Sequence, residues 1–78
     1  MQTTKYFDSL KSRPDRVFIK TKWIQAVIDH PESEFLQADG RVRLWAAIPE
    51  NENKYLRVIL LGDRKTVHNA FFDRRYKS

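Results

Sequence analysis

Two periodicities divide the chain. As far as about residue 30 the apolar residues recur at helical spacing, and beyond that they alternate. Tyr6, Phe7 and Leu10 stand at i, i+1 and i+4 and predict a short amphipathic helix over 3–12. The segment Arg13-Pro14-Asp15-Arg16 ends it, because the residue before a proline avoids the α region. Val17-Phe18-Ile19 is apolar but too short to choose between helix and strand. A second helix is clearer: Thr21 is its candidate N-cap, Trp23, Ile24, Val27 and Ile28 form its apolar stripe, and Asp29-His30-Pro31 closes it.

After Pro31 the period becomes two. Phe35–Ala38, then Asp39-Gly40, then Arg41 onward predict a hairpin closed by a two-residue type I′ turn. The strand from Arg41 alternates, with Val42, Leu44, Ala46 and Ile48 on one side and Arg41, Arg43, Trp45 and Ala47 on the other. Pro49–Asn53 is a polar loop, Lys54–Leu61 a strand, Gly62–Lys65 a tight turn and Thr66–Asp73 the last strand. The predicted fold class is α+β: one domain over 1–78, with two N-terminal helices packed on a three- to four-stranded antiparallel meander.

Loop lengths fix a register. If Pro49–Asn53 pairs Ile48 with Lys54, Trp45 lies opposite Arg57 and Ala47 opposite Tyr55. If Gly62–Lys65 pairs Leu61 with Thr66, Ile59 faces His68, Arg57 faces Ala70 and Tyr55 faces Phe72. One face of the sheet then carries Val42, Leu44, Ala46, Ile48, Leu56, Val58, Leu60, Val67 and Phe71, and is the core side. The other collects Arg41, Arg43, Trp45, Tyr55, Arg57, Ile59, His68, Ala70 and Phe72, and nothing remains in the chain to cover it fully. A one-residue bulge would carry part of this set into the core.

Composition narrows the chemistry. The 78 residues include no cysteine, which excludes disulfides and thiolate metal sites and fits a reducing compartment. No apolar run approaches the roughly 18 residues of a membrane span, and Met1-Gln2-Thr3-Thr4-Lys5 lacks the apolar region of a signal peptide. The expectation is a cytoplasmic protein with no membrane partner. From Lys54 onward seven basic residues face two acidic ones, so this third of the chain carries as much positive charge as the whole, +5. Such asymmetry suits an anionic partner. The chain contains no phosphate-binding loop, dinucleotide fingerprint, HExxH or metal-spaced cluster, so no cofactor and no metal are expected. His30, before a proline at a helix end, suits capping. Any catalysis would run on Arg, Lys, His or Tyr.

The uncovered face supplies those groups. Arg43 and Arg57 are candidate phosphate clamps, and Trp45 and Tyr55 are candidate platforms for unpaired bases. His68, between arginines, would be pushed toward the neutral imidazole that accepts a proton near pH 7. The competing reading is packing: Trp45, Tyr55, Ile59 and Phe72 as a dimer interface or a mini-core under the tail, with the arginines paired to acids.

Several segments together resemble the RelE/ParE toxin superfamily, and more narrowly its short BrnT-type members. They are Arg13-Pro14-Asp15-Arg16 before an apolar residue, Val27-Ile28-Asp29-His30-Pro31 at a helix end, and a basic strand after Asp39-Gly40. Leu56-Arg57-Val58-Ile59 and Phe72-Asp73-Arg74-Arg75 complete the set. The long basic C-terminal extension of many relatives is missing. The resemblance implies a metal-independent, mRNA-cleaving toxin held in check by an antitoxin protein. In it the ribose 2′-hydroxyl attacks the adjacent phosphate. Carried onto this chain, it makes His68 the general base or acid, Arg57 and Arg43 the clamps, and Arg74 a further charge stabiliser. Arg41, Trp45, Tyr55 and Arg75 complete the RNA contacts. The alternatives are a non-catalytic RNA-binding module and a toxin-like protein-interaction module that forms a homodimer.

Overall fold

The computed structural model describes residues 1–14, 16 and 18–76. Helix α1 spans Lys5–Leu10 and helix α2 spans Thr21–Asp29; strands β1 (Ser33–Leu36), β2 (Val42–Ile48), β3 (Lys54–Leu60) and β4 (Val67–Phe72) follow. The helical elements are not all N-terminal, since a 3₁₀ turn, Pro49–Asn51, lies between β2 and β3. The four strands form one antiparallel sheet in the order β1-β2-β3-β4. The class is α+β.

Helix α1 is shorter than the predicted 3–12. Thr4 is its N-cap, its hydroxyl accepting the Phe7 N–H at 3.1 Å. Residues 2–4 are instead extended: Val67 donates its N–H to Gln2 O, and Thr4 donates to Val67 O, at 2.9 and 3.0 Å. This parallel bridge covers the start of the free edge of β4. Helix α2 begins at Thr21 itself with Lys20 as N-cap, one residue before the predicted cap. His30 is the C-cap, its N–H bonded to Ala26 O.

The β2–β3 register follows the loop-length argument, with Ile48 opposite Lys54 and Trp45 opposite Arg57. Two other expectations fail, each for a local reason. The β1–β2 turn is not a two-residue type I′ turn. Such a turn needs positive φ at both central residues, but here only Gly40 has it, at +92°. Asp39 instead accepts the Arg41 N–H on its side chain, and Gln37 N–H bonds to Arg41 O around a three-residue loop. Phe35 therefore pairs with Arg43 and Leu36 with Val42, one position from the predicted match.

The second failure is a β-bulge. Leu60 faces Val67 as the turn predicts, but Ile59 faces Asn69, which leaves His68 as the extra residue. Everything after it shifts by one. Ala70, expected on the outer face, is buried in the core at 1% exposure. Phe72 packs against that core, edge-on to Trp23. Phe71, expected in the core, lies instead against Arg57.

The core sits between the inner face and the helices. Phe7 of α1 and Trp23, Ile24 and Val27 of α2 close over Val42, Leu44, Ala46, Ile48, Leu56, Val58, Leu60, Val67 and Ala70. Each fully buried Val or Leu among these contributes roughly 1.5–3 kcal/mol relative to exposure.

Candidate nucleic-acid interface

Period-two alternation stacks the outer-face residues in rows across the sheet. One row runs Ser33, Trp45, Arg57, Phe71, and the next runs Phe35, Arg43, Ile59, Asn69. Within each row an arginine neighbours an aromatic ring on the adjoining strand. The Arg57 guanidinium lies 5.2 Å from the Trp45 ring and 5.1 Å from Phe71, and that of Arg43 lies 5.5 Å from Phe35.

The face divides into a closed half and an open half. In the closed half the chain after β4 folds back over the sheet. Tyr76 stacks on Trp45 at 5.1 Å, meets Tyr55 at 4.7 Å and shares a 2.6 Å hydrogen bond with Ser33. Trp45 is left 8% exposed. Its indole N–H donates to Asp73 Oδ2 at 3.1 Å, and Arg57 Nη2 reaches the same oxygen at 3.0 Å. The Arg57 side chain is 23% exposed, and its Nε has no hydrogen-bond partner among the described residues. The expected base platform and phosphate clamp thus form a small second core beneath the tail, the packing arrangement weighed as the alternative.

Opposing influences set the charge of Asp73. Burial alone would raise its pKa. The Trp45 indole N–H, the Arg75 backbone N–H, Arg57 and the Tyr76 backbone N–H outweigh it and hold the carboxyl below its ordinary value.

The open half lies toward the β1–β2 loop. Arg43 Nε donates to Gln37 Oε1 at 2.7 Å, and among the described residues no carboxylate lies within ion-pair distance of it. Arg41 makes only a loose, exposed contact to Asp39 at 3.8 Å. His68 is placed here by the bulge. Its Nδ1 lies 3.2 Å from Thr4 Oγ1, and its ring stacks on Tyr6 at 4.9 Å. Burial first, then the charge of Arg41, push its pKa below 6.5, with Asp39 partly opposing. If Nδ1–H donates to Thr4, Nε2 keeps the lone pair that can take a proton. Arg16 joins from the helix linker, its Nη1 donating to Asn69 Oδ1 at 3.0 Å with its guanidinium 5.4 Å from Phe71.

The sequence-predicted residues therefore separate. Arg41, Arg43 and His68 share the open half, whereas Arg57, Trp45 and Tyr55 belong to the closed half. Arg74 and Arg75 follow β4 in an exposed turn. Thr4, Tyr6, Gln37, Asn69 and Tyr76 escaped sequence reasoning as site residues, and Arg16 was read only as part of the helix-ending, family-like segment. Only Thr4 carried a signal, as a threonine ahead of an apolar helical pair.

Among the described residues no group of three or more His, Asp or Glu could hold a metal ion, and no helix is long and apolar enough to cross a membrane. No protein-family model matches the chain, and neither a curated protein nor a solved structure matches it.

Proposed function

We propose that the protein is a toxin-type endoribonuclease of RelE-like architecture, acting in the cytoplasm on RNA and restrained by an antitoxin protein. The observation that carries this reading is the open half of the sheet. Two arginines, Arg41 and Arg43, lack tight acid partners, and the charge of Arg41 reaches a histidine biased toward its neutral form. The catalytic assignment accordingly rests on Arg41, Arg43 and His68, and Arg57 becomes a positioning residue that pins the tail through Asp73.

The chemistry needs no metal. Neutral His68 takes the proton of a ribose 2′-hydroxyl, and the oxygen attacks the neighbouring phosphorus. The bond from phosphorus to the 5′ oxygen of the next nucleotide breaks, that oxygen takes a proton from water, and the His68 imidazolium returns its proton to solvent. The products are a 2′,3′-cyclic phosphate and a free 5′-hydroxyl. Arg41 and Arg43 stabilise the charge that grows on the phosphoryl oxygens, a contribution of about 10²–10³ in rate per donor.

The test is the full chain incubated with end-labelled single-stranded RNA in the presence of EDTA. Cyclic-phosphate ends are expected for the wild type, with a loss of about 100-fold or more in Arg43→Ala and near-complete loss in His68→Ala. Cleavage at the wild-type rate in His68→Ala overturns the assignment. RNA that is bound but stays intact under all conditions replaces it with a non-catalytic RNA-binding module.

A further inference from the structure

At one end of the sheet, the start of β3 and the end of β4 meet the 3₁₀ turn around a cavity of about 500 Å³. That is within the roughly 300–1,000 Å³ of small-molecule sites. Four aromatic rings wall it: Phe18, Tyr55, Phe72 and Tyr76. Phe18 is 50% exposed, although its ring lies within 7° of parallel to Phe72 at 5.9 Å. Phe18 therefore offers the cavity a half-exposed ring already stacked on a second one. Two cations, Lys54 and Arg74, line the same cavity. Lys54 holds only an exposed 3.3 Å pair with Glu52, which exchanges readily for another anion. Arg74 has no ion-pair partner among the described residues. The one carboxylate in the lining, Asp73, is compensated by the charge of Arg57 and hydrogen-bonded by the Trp45 indole N–H, and so offers little repulsion to a phosphate. Asn51 adds an amide that can both donate and accept.

We infer that this cavity is a subsite for one unpaired nucleotide, its base stacked against the aromatic wall at Phe18 and its phosphate held by Arg74 and Lys54. Rings alone would suit any apolar anchor, and cations alone any anion. Their meeting in the lining of one cavity, together with a bifunctional amide, selects a ligand with an aromatic base beside a phosphate. The inference rests on the reading of the protein as RNA-directed and extends it. Tyr55 at the cavity and Ile59 beside Arg43 are four residues apart on β3, about 13 Å at the rise of a strand. One short run of single-stranded RNA could therefore seat a base here and present its scissile phosphate at the open half.

The test is an NMR titration of the full chain with adenosine 5′-monophosphate, adenosine and inorganic phosphate in turn. Saturable shifts are expected at the Phe18, Tyr55 and Asn51 side chains with the monophosphate, and weaker binding with adenosine. Phe18→Ala should weaken monophosphate binding by about 5- to 150-fold, the range of a single base–aromatic stack, and Arg74→Ala should bring the monophosphate down toward the affinity of adenosine. Phe18→Leu keeps the bulk without the ring and separates stacking from folding. Phosphate binding as tightly as the monophosphate, or shifts confined to other residues, overturns the subsite. If oligonucleotide cleavage depends on His68 and Arg43 but not on Phe18 or Arg74, the subsite fails and the ribonuclease reading stands. If the monophosphate binds here while no RNA is cut or bound through Arg43, the ribonuclease reading fails and the subsite stands.

Discussion

Asp73 accepts from Trp45, pairs with Arg57 and takes the Arg75 N–H at 3.0 Å on its other oxygen, so a single carboxylate holds the tail on the sheet. Asp73→Asn leaves a largely desolvated guanidinium uncompensated. The expected cost is about 2 kcal/mol, below the roughly 3–5 kcal/mol of a fully buried pair because Arg57 keeps a route to water. Urea unfolding of the variant checks it, and a change under about 0.5 kcal/mol would mean that the stacked rings alone hold the tail. The folded pKa of Asp73 is depressed, so its stabilisation is complete above the ordinary 3.8 and drains away as pH falls through the lower folded value. Asp63, pushed down to about 2 chiefly by the Thr66 hydroxyl and the Thr66 and Lys65 N–H groups, titrates in the same acid range. His68 gives a slope of the same sign in a higher pH window. With its folded pKa below 6.5, the folded chain binds fewer protons than the unfolded one in that window, so stability climbs with pH up to 6.5 and then levels. Urea midpoints between pH 5 and 7.5 should show this rise in the wild type and a flatter curve in His68→Gln. A His68 imidazole titrating above 6.5 by NMR would remove both this prediction and the neutral base.

Among the elements, α2, β2 and β3 were legible because each has an unbroken apolar period that a single packing surface satisfies. The start of α1 and the register of β4 were not, and the reason is the N-terminal segment. Nothing in the periodicity of Gln2-Thr3-Thr4 says that its backbone will pair with Val67, yet that pairing shortens α1 and lies beside the bulge. Without the bulge Ala70 would face outward and Phe71 inward, which would place the larger side chain under α1 and α2 and take from Arg57 one of its two ring partners. Alternation on β4 reads equally well either way, since Ala70, Phe71 and Phe72 are all apolar. Thr4 joins these elements: it caps α1 and meets the His68 ring. Thr4→Ala is expected to cost about 1 kcal/mol, a typical cap value, and Thr4→Ser to recover most of it in the same urea assay. Equal losses in both variants would show that the threonine methyl, not the cap, is what matters.

At the scale of the molecule, the sign of the charge was legible and its disposition was not. Counting placed the positive excess after Lys54, but Arg57 and Arg64 in that third are paired with Asp73 and Glu34, acids whose partners a sequence does not reveal. The cations left for a phosphate chain along the sheet are Arg41 and Arg43 on the open face, with Arg74 and Lys54 at the far cavity, while Lys5 and Lys22 lie on the helices. If RNA binds along the outer face, only the first group should release counterions. The affinity for single-stranded RNA then falls with salt at a slope of about −0.7 per phosphate neutralised. Arg41→Ala, Arg43→Ala and Arg74→Ala should each flatten that slope by about 0.7, and Lys5→Ala and Lys22→Ala should leave it unchanged. Filter binding or anisotropy from 50 to 300 mM salt gives the comparison. Five equal effects would describe a diffuse cationic surface attracting any polyanion. A division of three against two requires a track on one side of the sheet, running from the β1–β2 loop to the turn after β4.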